Sequence, residues 1–307
     1  MVSASDGTRD RHLAVSDALA SLLVRSQFPH LAELEIGRRL TVEDHVTIRL
    51  GERLCARFPT TPDLDPLVER SGQWSPPAAR DWTFPAGVPL LTGKPTDDYP
   101  VHWEIAPWLP GSNAAIVDLD PGTSPDLGRA LREVHQPAPP DAPVHPASSM
   151  PMSALRPRWV AARSRLAHET TPDDVAVDPR DFDSIWDAGE AADPVTTTRW
   201  IHGNLDPRFI MSDRGKFAGI STWFTFSAGD PAADIGAACV ALPIGSEDAF
   251  LEGYGELDEA STDRACAFRL LTCAEYAGSS NPFLRRVGRD RLVELQSAER
   301  SDLRRRA

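Results

Sequence analysis

The sequence has 307 residues, of which 45 are acidic and 32 basic, so its formal net charge is −13. This surplus of acid argues against a nucleic-acid partner, whose phosphates would repel it. No apolar stretch reaches the roughly 18 residues of a membrane helix, and the N-terminus lacks the apolar segment of a secretory signal. We therefore expect a cytoplasmic protein without a nucleic-acid or membrane partner, and the sequence does not define a protein partner.

The first third of the chain reads as one helix followed by short strands. Residues 11–28 carry leucine and valine at helical spacing. Two apolar runs, Val46–Leu50 and Leu54–Phe58, flank a Gly-Glu pair, which predicts a β-hairpin. A further strand is predicted at Val101–Pro107, directly before the helix-breaking cluster Trp108–Gly111.

Proline is unusually frequent, with 28 residues in the chain. Many of them lie in two stretches, Pro59–Pro110 and Pro137–Pro157. Because proline lacks a backbone N–H and restricts the residue before it, these stretches are predicted to be ordered, extended connections rather than helices.

The rest of the chain is mostly helical, with three short strands in the middle. Helices are predicted at 125–135, 154–168, 181–191, 232–242, 246–254, 260–276 and 281–299, and strands at Arg199–Ile201, Phe209–Ser212 and Ala218–Thr222. This order predicts an α+β protein with a small N-lobe (residues 1–105, an N-terminal helix plus an antiparallel sheet) and a larger helical C-lobe (residues 106–307).

Three short motifs follow one another in the C-lobe. Residues 202–207 read His-Gly-Asn-Leu-Asp-Pro, residues 220–223 read Ile-Ser-Thr-Trp, and residues 229–234 read Gly-Asp-Pro-Ala-Ala-Asp. The segment resembles the catalytic stretch of the aminoglycoside and macrolide phosphotransferase family, whose pattern is H-G-D-L-x-P-x-N, I-D-W/F and G-D-P-A-x-D-L.

The resemblance extends over about residues 26–255, in the family's order. Further markers are the segments Gln27–Ala32, Ile48–Pro59, Trp108–Gly111 and Leu131–Pro143. The resemblance implies a bilobal, protein-kinase-like fold, in which a five-stranded antiparallel N-lobe sheet is joined near Glu104–Trp108 to a mostly helical C-lobe.

The three residues that do the family's chemistry are replaced. In the family, the Asp of H-G-D is the general base, the Asn five residues later binds Mg²⁺, and the Asp of I-D-W bridges metal and phosphates. The corresponding positions here are Asn204, Phe209 and Thr222. An amide cannot act as a base, a phenyl ring offers no ligand atom, and a neutral hydroxyl is a weak substitute for a carboxylate.

Other acids could compensate for these losses. Asp206 is a candidate substitute for the base, with Asp213 as a second relocated acid, although Asp206 also suits a turn before Pro207. His202 is interpreted as a packed loop histidine. Asp230 and Asp234 fit the N-cap and first turn of a helix and are interpreted as scaffold residues.

The N-lobe has also lost parts of a nucleotide site. The family's phosphate-covering turn carries glycine, whereas Val42-Glu-Asp-His45 stands here, and Glu43 and Asp44 would repel a phosphate. Arg57 occupies the position of the family's phosphate-contacting Lys or Arg, and could hold either a phosphate or a salt bridge. The family's helix-borne carboxylate falls at Ser71, with Glu69 a substitute only if the helix slips.

These substitutions favour a catalytically inactive pseudokinase with a binding or regulatory role, for which no cofactor is expected. One alternative is an ATP- or GTP-dependent phosphotransferase with relocated acids, which would need Mg²⁺. Another is a nucleotidyl transferase that binds its nucleotide in an inverted orientation.

The sequence also suggests a ligand class. By resemblance, Trp103, Trp108, Trp223, Phe224 and Phe226 lie near an inter-lobe cleft, although Trp103 and Trp223 are expected to be core residues. The net charge agrees with a small cationic or neutral ligand in that cleft.

Overall fold

The computed structural model describes residues 12–42, 44–168 and 177–306, with side chains described over 12–42, 44–166 and 177–297. The chain divides into two compact units. The N-terminal unit comprises the chain up to Asp81, Pro85–Leu109 and Gly219–Phe226, and the C-terminal unit comprises Trp82–Phe84, Pro110–Ala218 and the chain from Ser227. Over the described residues, no helix has the length and apolar character required to span a bilayer.

The N-terminal unit is built on an antiparallel sheet of five described strands, as predicted. They are β1 (Ile36–Val42), β2 (His45–Leu50), β3 (Leu54–Pro59), β4 (Leu91–Gly93) and β5 (Trp103–Pro107), in the order β1-β2-β3-β5-β4. The predicted hairpin is β2–β3, with Leu50 opposite Leu54. Helix α1 (Asp17–Gln27) buries Leu23 and Val24 in the core that includes Phe58 and Trp103.

Helix α2 (Asp65–Ala78) shows that the prediction of extended structure over Pro59–Pro110 is wrong for this segment. Pro66 lies in the first turn, where the missing N–H has no helical partner to lose. Pro76 and Pro77 lie in the last turn, so the helix ends directly after them. The residues between, 67–75, contain no proline and are free to form the helix.

The segment Gly219–Phe226 packs within the N-terminal unit. Ala86 forms a parallel bridge with Ile220, and the Gly87 N–H donates to the Ile220 carbonyl at 2.7 Å. Trp223 is fully buried, as is Trp103, which confirms that both are core aromatics.

The C-terminal unit is mainly helical, which confirms the predicted fold class. Its helices are α3 (Ser124–Val134), α4 (Met152–His168), α5 (Asp183–Ala191), α6 (Pro231–Ala241), α7 (Glu247–Tyr254), α8 (Glu259–Ala277) and α9 (Pro282–Arg306). Helix α8 is central and packs against α4, α5, α6 and α9. Pro157 lies inside α4, so the prediction of extended structure for Pro137–Pro157 is wrong at its end.

Short strands position the motif-bearing loops. They are β6 (Ser112–Asn113), β7 (Arg199–Ile201), β8 (Ile210–Asp213), β9 (Lys216–Ile220) and β10 (Ser227–Gly229). Strand β7 pairs with β10, and β8 lies between β6 and β9. Relative to the prediction, β8 is displaced by one residue and β9 by two, so Phe209 precedes β8 and Thr222 follows β9.

Candidate functional site

The loop between β7 and β8 (residues 202–209), the motif loop, is held by the buried carboxylate of Asp234 on α6. Asp234 accepts hydrogen bonds from the backbone N–H groups of His202, at 2.6 Å, and Gly203, at 3.0 Å. Its Oδ2 also lies 3.2 Å from His135 Nε2. Although burial disfavours the charged form, the hydrogen bond with His135 and the backbone N–H groups lower the pKa of Asp234. The motif loop is therefore folded around an ionised carboxylate.

Asp230 and His202 are both buried next to this anchor. The Asp230 side chain accepts from the Ala232 N–H and caps α6, as predicted, and its other oxygen accepts from Arg264 Nε at 2.6 Å. His202 packs near the Phe209 ring, with centroids 6.0 Å apart. The side chains of Asp230 and His202 thus pack against the residues that support the motif loop.

Asn204, which the resemblance predicts to stand at the position of the family's base, is exposed on the loop. Its side chain is a neutral amide, which can donate and accept hydrogen bonds but cannot take up a proton at neutral pH. The loop therefore presents this position to solvent without a basic group.

Asp206 is buried, and both of its carboxylate oxygens have partners. Oδ1 accepts from the Arg208 N–H at 2.7 Å and from Arg208 Nε at 2.8 Å. Oδ2 accepts from Arg208 Nη2 at 3.0 Å and from the Tyr276 hydroxyl at 2.6 Å. Asp213, in contrast, is half-exposed at the end of β8 and pairs with Arg214 at 3.5 Å. Asp206 thus stabilises the turn before β8.

Phe209, which the resemblance predicts to stand at the position of the family's metal-binding Asn, is buried. Its backbone N–H donates to the Asp206 carbonyl at 2.8 Å, which closes the turn, and the Arg208 guanidinium lies 5.9 Å from its ring. An aromatic ring packed in this way contributes hydrophobic burial to the loop.

Thr222 lies in the N-terminal unit and is also buried. The turn that follows it is compact, because Trp223 Nε1 donates to the Ile220 carbonyl at 3.2 Å and Phe226 N–H to the Trp223 carbonyl at 3.0 Å. Phe224 next in sequence packs edge-on against His45, with ring centroids 5.4 Å apart. Aromatic side chains on the C-terminal side of Thr222 therefore hold this segment in place.

Arg57 on β3 forms a buried salt bridge with Glu104 on β5. The two residues are opposite each other in the ladder, and Arg57 Nη1 lies 2.6 Å from Glu104 Oε1. The same nitrogen donates to the Gly87 carbonyl at 2.7 Å. Burial raises the pKa of Glu104, while the Arg57 guanidinium acts in the opposite direction.

Helix α2 brings no carboxylate to this pair. Ser71 is fully buried, and its carbonyl accepts from the Ser75 hydroxyl at 2.7 Å. Glu69 is exposed and its carboxylate lies 3.9 Å from His102 Nε2. The helix therefore contributes the hydroxyl of Ser71 at the position where the resemblance predicts the family's acid.

The β1–β2 turn is closed by Val42 opposite His45. His45 is buried, and its Nδ1 lies 2.7 Å from Asp44 Oδ1. Glu43 lies outside the described residues.

The C-terminal unit contains a cavity of about 430 Å³ beside the motif loop. Pro207 lines it together with the end of α6, residues 242–244 and the first half of α9. Its walls combine polar and apolar surface in similar shares, and the exposed carboxylates of Asp118 and Asp290 and the exposed guanidinium of Arg286 lie among its lining residues. This volume is in the range of small-molecule sites.

Sequence reasoning did not find Glu104, Gly87 or Tyr276 as partners of the site residues. Glu104 is 47 positions from Arg57, Gly87 is 30 positions from it, and Tyr276 is 70 positions from Asp206. The register of β3 and β5 brings Glu104 to Arg57, the bridge of Ala86 to Ile220 positions Gly87, and the packing of α8 places Tyr276 beside Asp206.

The two-unit fold, with its antiparallel sheet and its His-Gly loop held by a helical carboxylate, defines a protein of the kinase-like phosphotransferase class. The sequence model described as the phosphotransferase enzyme family matches residues 43–268, which is more than half of the chain. The chain therefore belongs to this family. A search of the curated proteins finds no match.

Solved structures of aminoglycoside and macrolide phosphotransferases share the fold. The GDP complex of wild-type aminoglycoside 2'-phosphotransferase-IIIa is 14% identical, with a TM-score of 0.63 and coverage of 94% of this chain and 99% of the other. Macrolide 2'-phosphotransferase apoenzyme from Brachybacterium faecium is 19% identical, with a TM-score of 0.55 and coverage of 90% and 98%. At these identities the likeness concerns the fold.

Proposed function

We propose that this chain is a catalytically inactive member of the family, which binds a small ligand and does not transfer phosphate. The observation that carries the proposal is the joint replacement at three positions, where the chain has Asn204, Phe209 and Thr222. Phosphoryl transfer depends on positioning and on charge at the metal and the acceptor, and these three side chains are neutral.

The burial of Phe209, Thr222 and Asp206 supports the same proposal. Phe209 and Thr222 are both buried. Asp206, the candidate replacement acid, has Arg208 and Tyr276 on its two oxygens. Among the side chains that the structure describes, no group of three or more His, Cys, Asp or Glu is arranged to hold a metal ion. The residues at the family's metal positions do not fit a Mg²⁺–nucleotide complex.

The ligand is proposed to bind in the 430 Å³ cavity of the C-terminal unit. Its walls combine polar and apolar surface, which favours an amphiphilic molecule. The two exposed carboxylates of Asp118 and Asp290 outnumber the exposed guanidinium of Arg286, which favours a neutral or cationic molecule over an anion. Arg291, although it lines the cavity, uses its guanidinium to bind the Val240 and Leu242 carbonyls at the end of α6.

A melting experiment with nucleotides tests the loss of nucleotide binding. We expect no stabilisation of the native protein by millimolar Mg²⁺–ATP or Mg²⁺–GTP. Binding at one hundred times Kd would add about 2.7 kcal/mol to the free energy of unfolding and raise Tm by several degrees. A shift of that size would contradict the proposal.

A second experiment tests the cavity as the ligand site. Kanamycin and erythromycin serve as probes of a cationic and a largely apolar molecule, and binding is measured by calorimetry. Ala241→Trp places an indole at the cavity wall and should abolish any binding, whereas Ala79→Trp, on a half-buried position of the other unit, should leave it unchanged. Binding that survives Ala241→Trp would place the ligand elsewhere.

A further inference from the structure

The Arg57–Glu104 pair is a self-contained, buried charge pair in the N-terminal unit. Arg57 is 2% exposed and Glu104 is 0% exposed. Glu104 Oε2 has no hydrogen-bond partner among the described residues, so Arg57 is the group that compensates this carboxylate. A buried ionised group without a partner is strongly unfavourable, so each residue depends on the other.

The neighbouring segment 85–88 completes the enclosure of Arg57. A methyl group at Gly87 would lie 2.5 Å from Arg57 Nη2 and 2.1 Å from the Ser221 carbonyl oxygen. The Gly87 backbone therefore passes directly over the guanidinium, and its carbonyl takes a hydrogen bond from Nη1. A main-chain oxygen occupies one side of the cation.

Helix α2 packs on the same face of the sheet. Arg57, Glu104 and Thr92 are successive partners across β3, β5 and β4, so their side chains share one face. Gly72 of α2 lies against Thr92, because a methyl group at Gly72 would be 2.1 Å from Thr92 Oγ1. The helix thus covers this face with Gly72 and the buried Ser71 in place of a carboxylate.

We propose that Glu104 has replaced the helix carboxylate as the partner of Arg57, and that the pair with the Gly87 carbonyl closes this cation to phosphate-bearing ligands. The inference rests on the proposed function and deepens it, because it identifies a device that excludes anions from the N-terminal unit. The carboxylate that pairs with Arg57 therefore lies on strand β5 and not on helix α2.

The test measures binding of tripolyphosphate, by its effect on Tm, to native protein and to Glu104→Gln. The amide keeps the shape of Glu104 but removes its charge, so the Arg57 cation loses its counter-ion and attracts an anion that binds near it. We expect tripolyphosphate to raise the Tm of Glu104→Gln by several degrees and to leave native protein unchanged. Arg57→Met/Glu104→Met, which lacks the cation, is the matched control and should not respond.

The outcomes separate the two proposals. If Glu104→Gln folds and does not respond to tripolyphosphate more than the control does, the inference is wrong while the proposed function stands. If native protein is stabilised by tripolyphosphate, the closure of Arg57 is contradicted. If native protein is stabilised by Mg²⁺–ATP, the proposed function itself fails.

A second measurement decides the pairing should Glu104→Gln not fold. Arg57→Met alone should lower Tm by on the order of 10 °C, because it leaves the Glu104 carboxylate buried and unpaired, and the double Met variant should recover most of that loss. A double variant no more stable than Arg57→Met would overturn the pairing.

Discussion

Asn204 and Phe209 differ in burial, and this difference decides what each substitution contributes to stability. Asn204 is exposed on the motif loop, whereas Phe209 is buried beside His202 and Arg208. A substitution at 204 should therefore have little effect on stability, whereas Phe209 contributes an apolar group to the packing of the loop.

Reversion to the family's residues should show this contrast. We expect Phe209→Asn to lower the free energy of unfolding by roughly 3–5 kcal/mol, because it removes a packed ring and buries an amide. Asn204→Asp should change it by less than about 0.5 kcal/mol, as for most exposed substitutions. Urea denaturation of both variants measures the difference, and equal effects would contradict the described packing.

The lowered pKa of Asp234 predicts that the free energy of unfolding decreases in acid. Its pKa is lowered in the folded state, so its contribution is complete above its ordinary value of about 3.9 and is lost as the pH falls through the lower, folded value. In Asp234→Asn the amide nitrogen replaces one of the two accepting oxygens and faces the N–H donor of either His202 or Gly203, so the free energy of unfolding should fall by roughly 2–3 kcal/mol at pH 7.

Denaturation midpoints between pH 2 and 7 measure this contribution. The difference between native protein and Asp234→Asn should be constant near neutral pH and shrink below about pH 4. Glu69→Gln, which changes an exposed carboxylate in the other unit, is the control. A difference that grew as the pH fell would contradict the sign of the shift.

The residue scale also shows the limit of sequence reasoning. The sequence sufficed to predict the N-cap role of Asp230, because cap and helix are adjacent in the chain. It left Arg57 open between a phosphate and a salt bridge, because the choice depends on Glu104, which only the pairing of β3 with β5 places opposite it.

Helices and strands were predicted correctly where the hydrophobic spacing was regular and the element ended at a clear turn or helix breaker. The β2–β3 hairpin and helix α3 follow their predicted spans closely. Helix α2 was not predicted, because the prediction used the number of prolines in the segment and not their positions. Pro66 lies in the first turn, which tolerates a residue without an N–H, and Pro76 and Pro77 lie in the last turn, directly before the helix ends.

The segment that carries Gly87 offers a test at this scale. A side chain at Gly87 would meet the Ser221 carbonyl and Arg57, so Gly87→Ala should lower the free energy of unfolding by roughly 1–3 kcal/mol. Gly122→Ala is the matched control, since a methyl group there would contact nothing within 4 Å. Melting curves that show equal stability for the two variants would argue against the close approach of residues 85–88 to Arg57.

For the whole molecule, the order of several motifs identified the fold more reliably than any one of them. The family model spans residues 43–268, and the solved phosphotransferases cover 90% or more of the chain. Activity does not follow from this likeness, because it depends on a few side chains at defined positions. The present chain has groups that fold the motif loop, such as Asp234, and we propose that Asn204, Phe209 and Thr222 leave it without the groups that act on phosphate.

The most direct measurement of the central claim is transfer of the γ-phosphate of ATP and of GTP, in the presence of Mg²⁺, to kanamycin and erythromycin. We predict no transfer above the rate without protein, because a general base typically contributes about 10²–10⁴-fold and the metal positions are neutral as well. Asp206→Ala serves as the comparison, and the account predicts that it is equally inactive. Transfer by the native protein that is lost in Asp206→Ala would contradict the account and show an enzyme with a relocated acid.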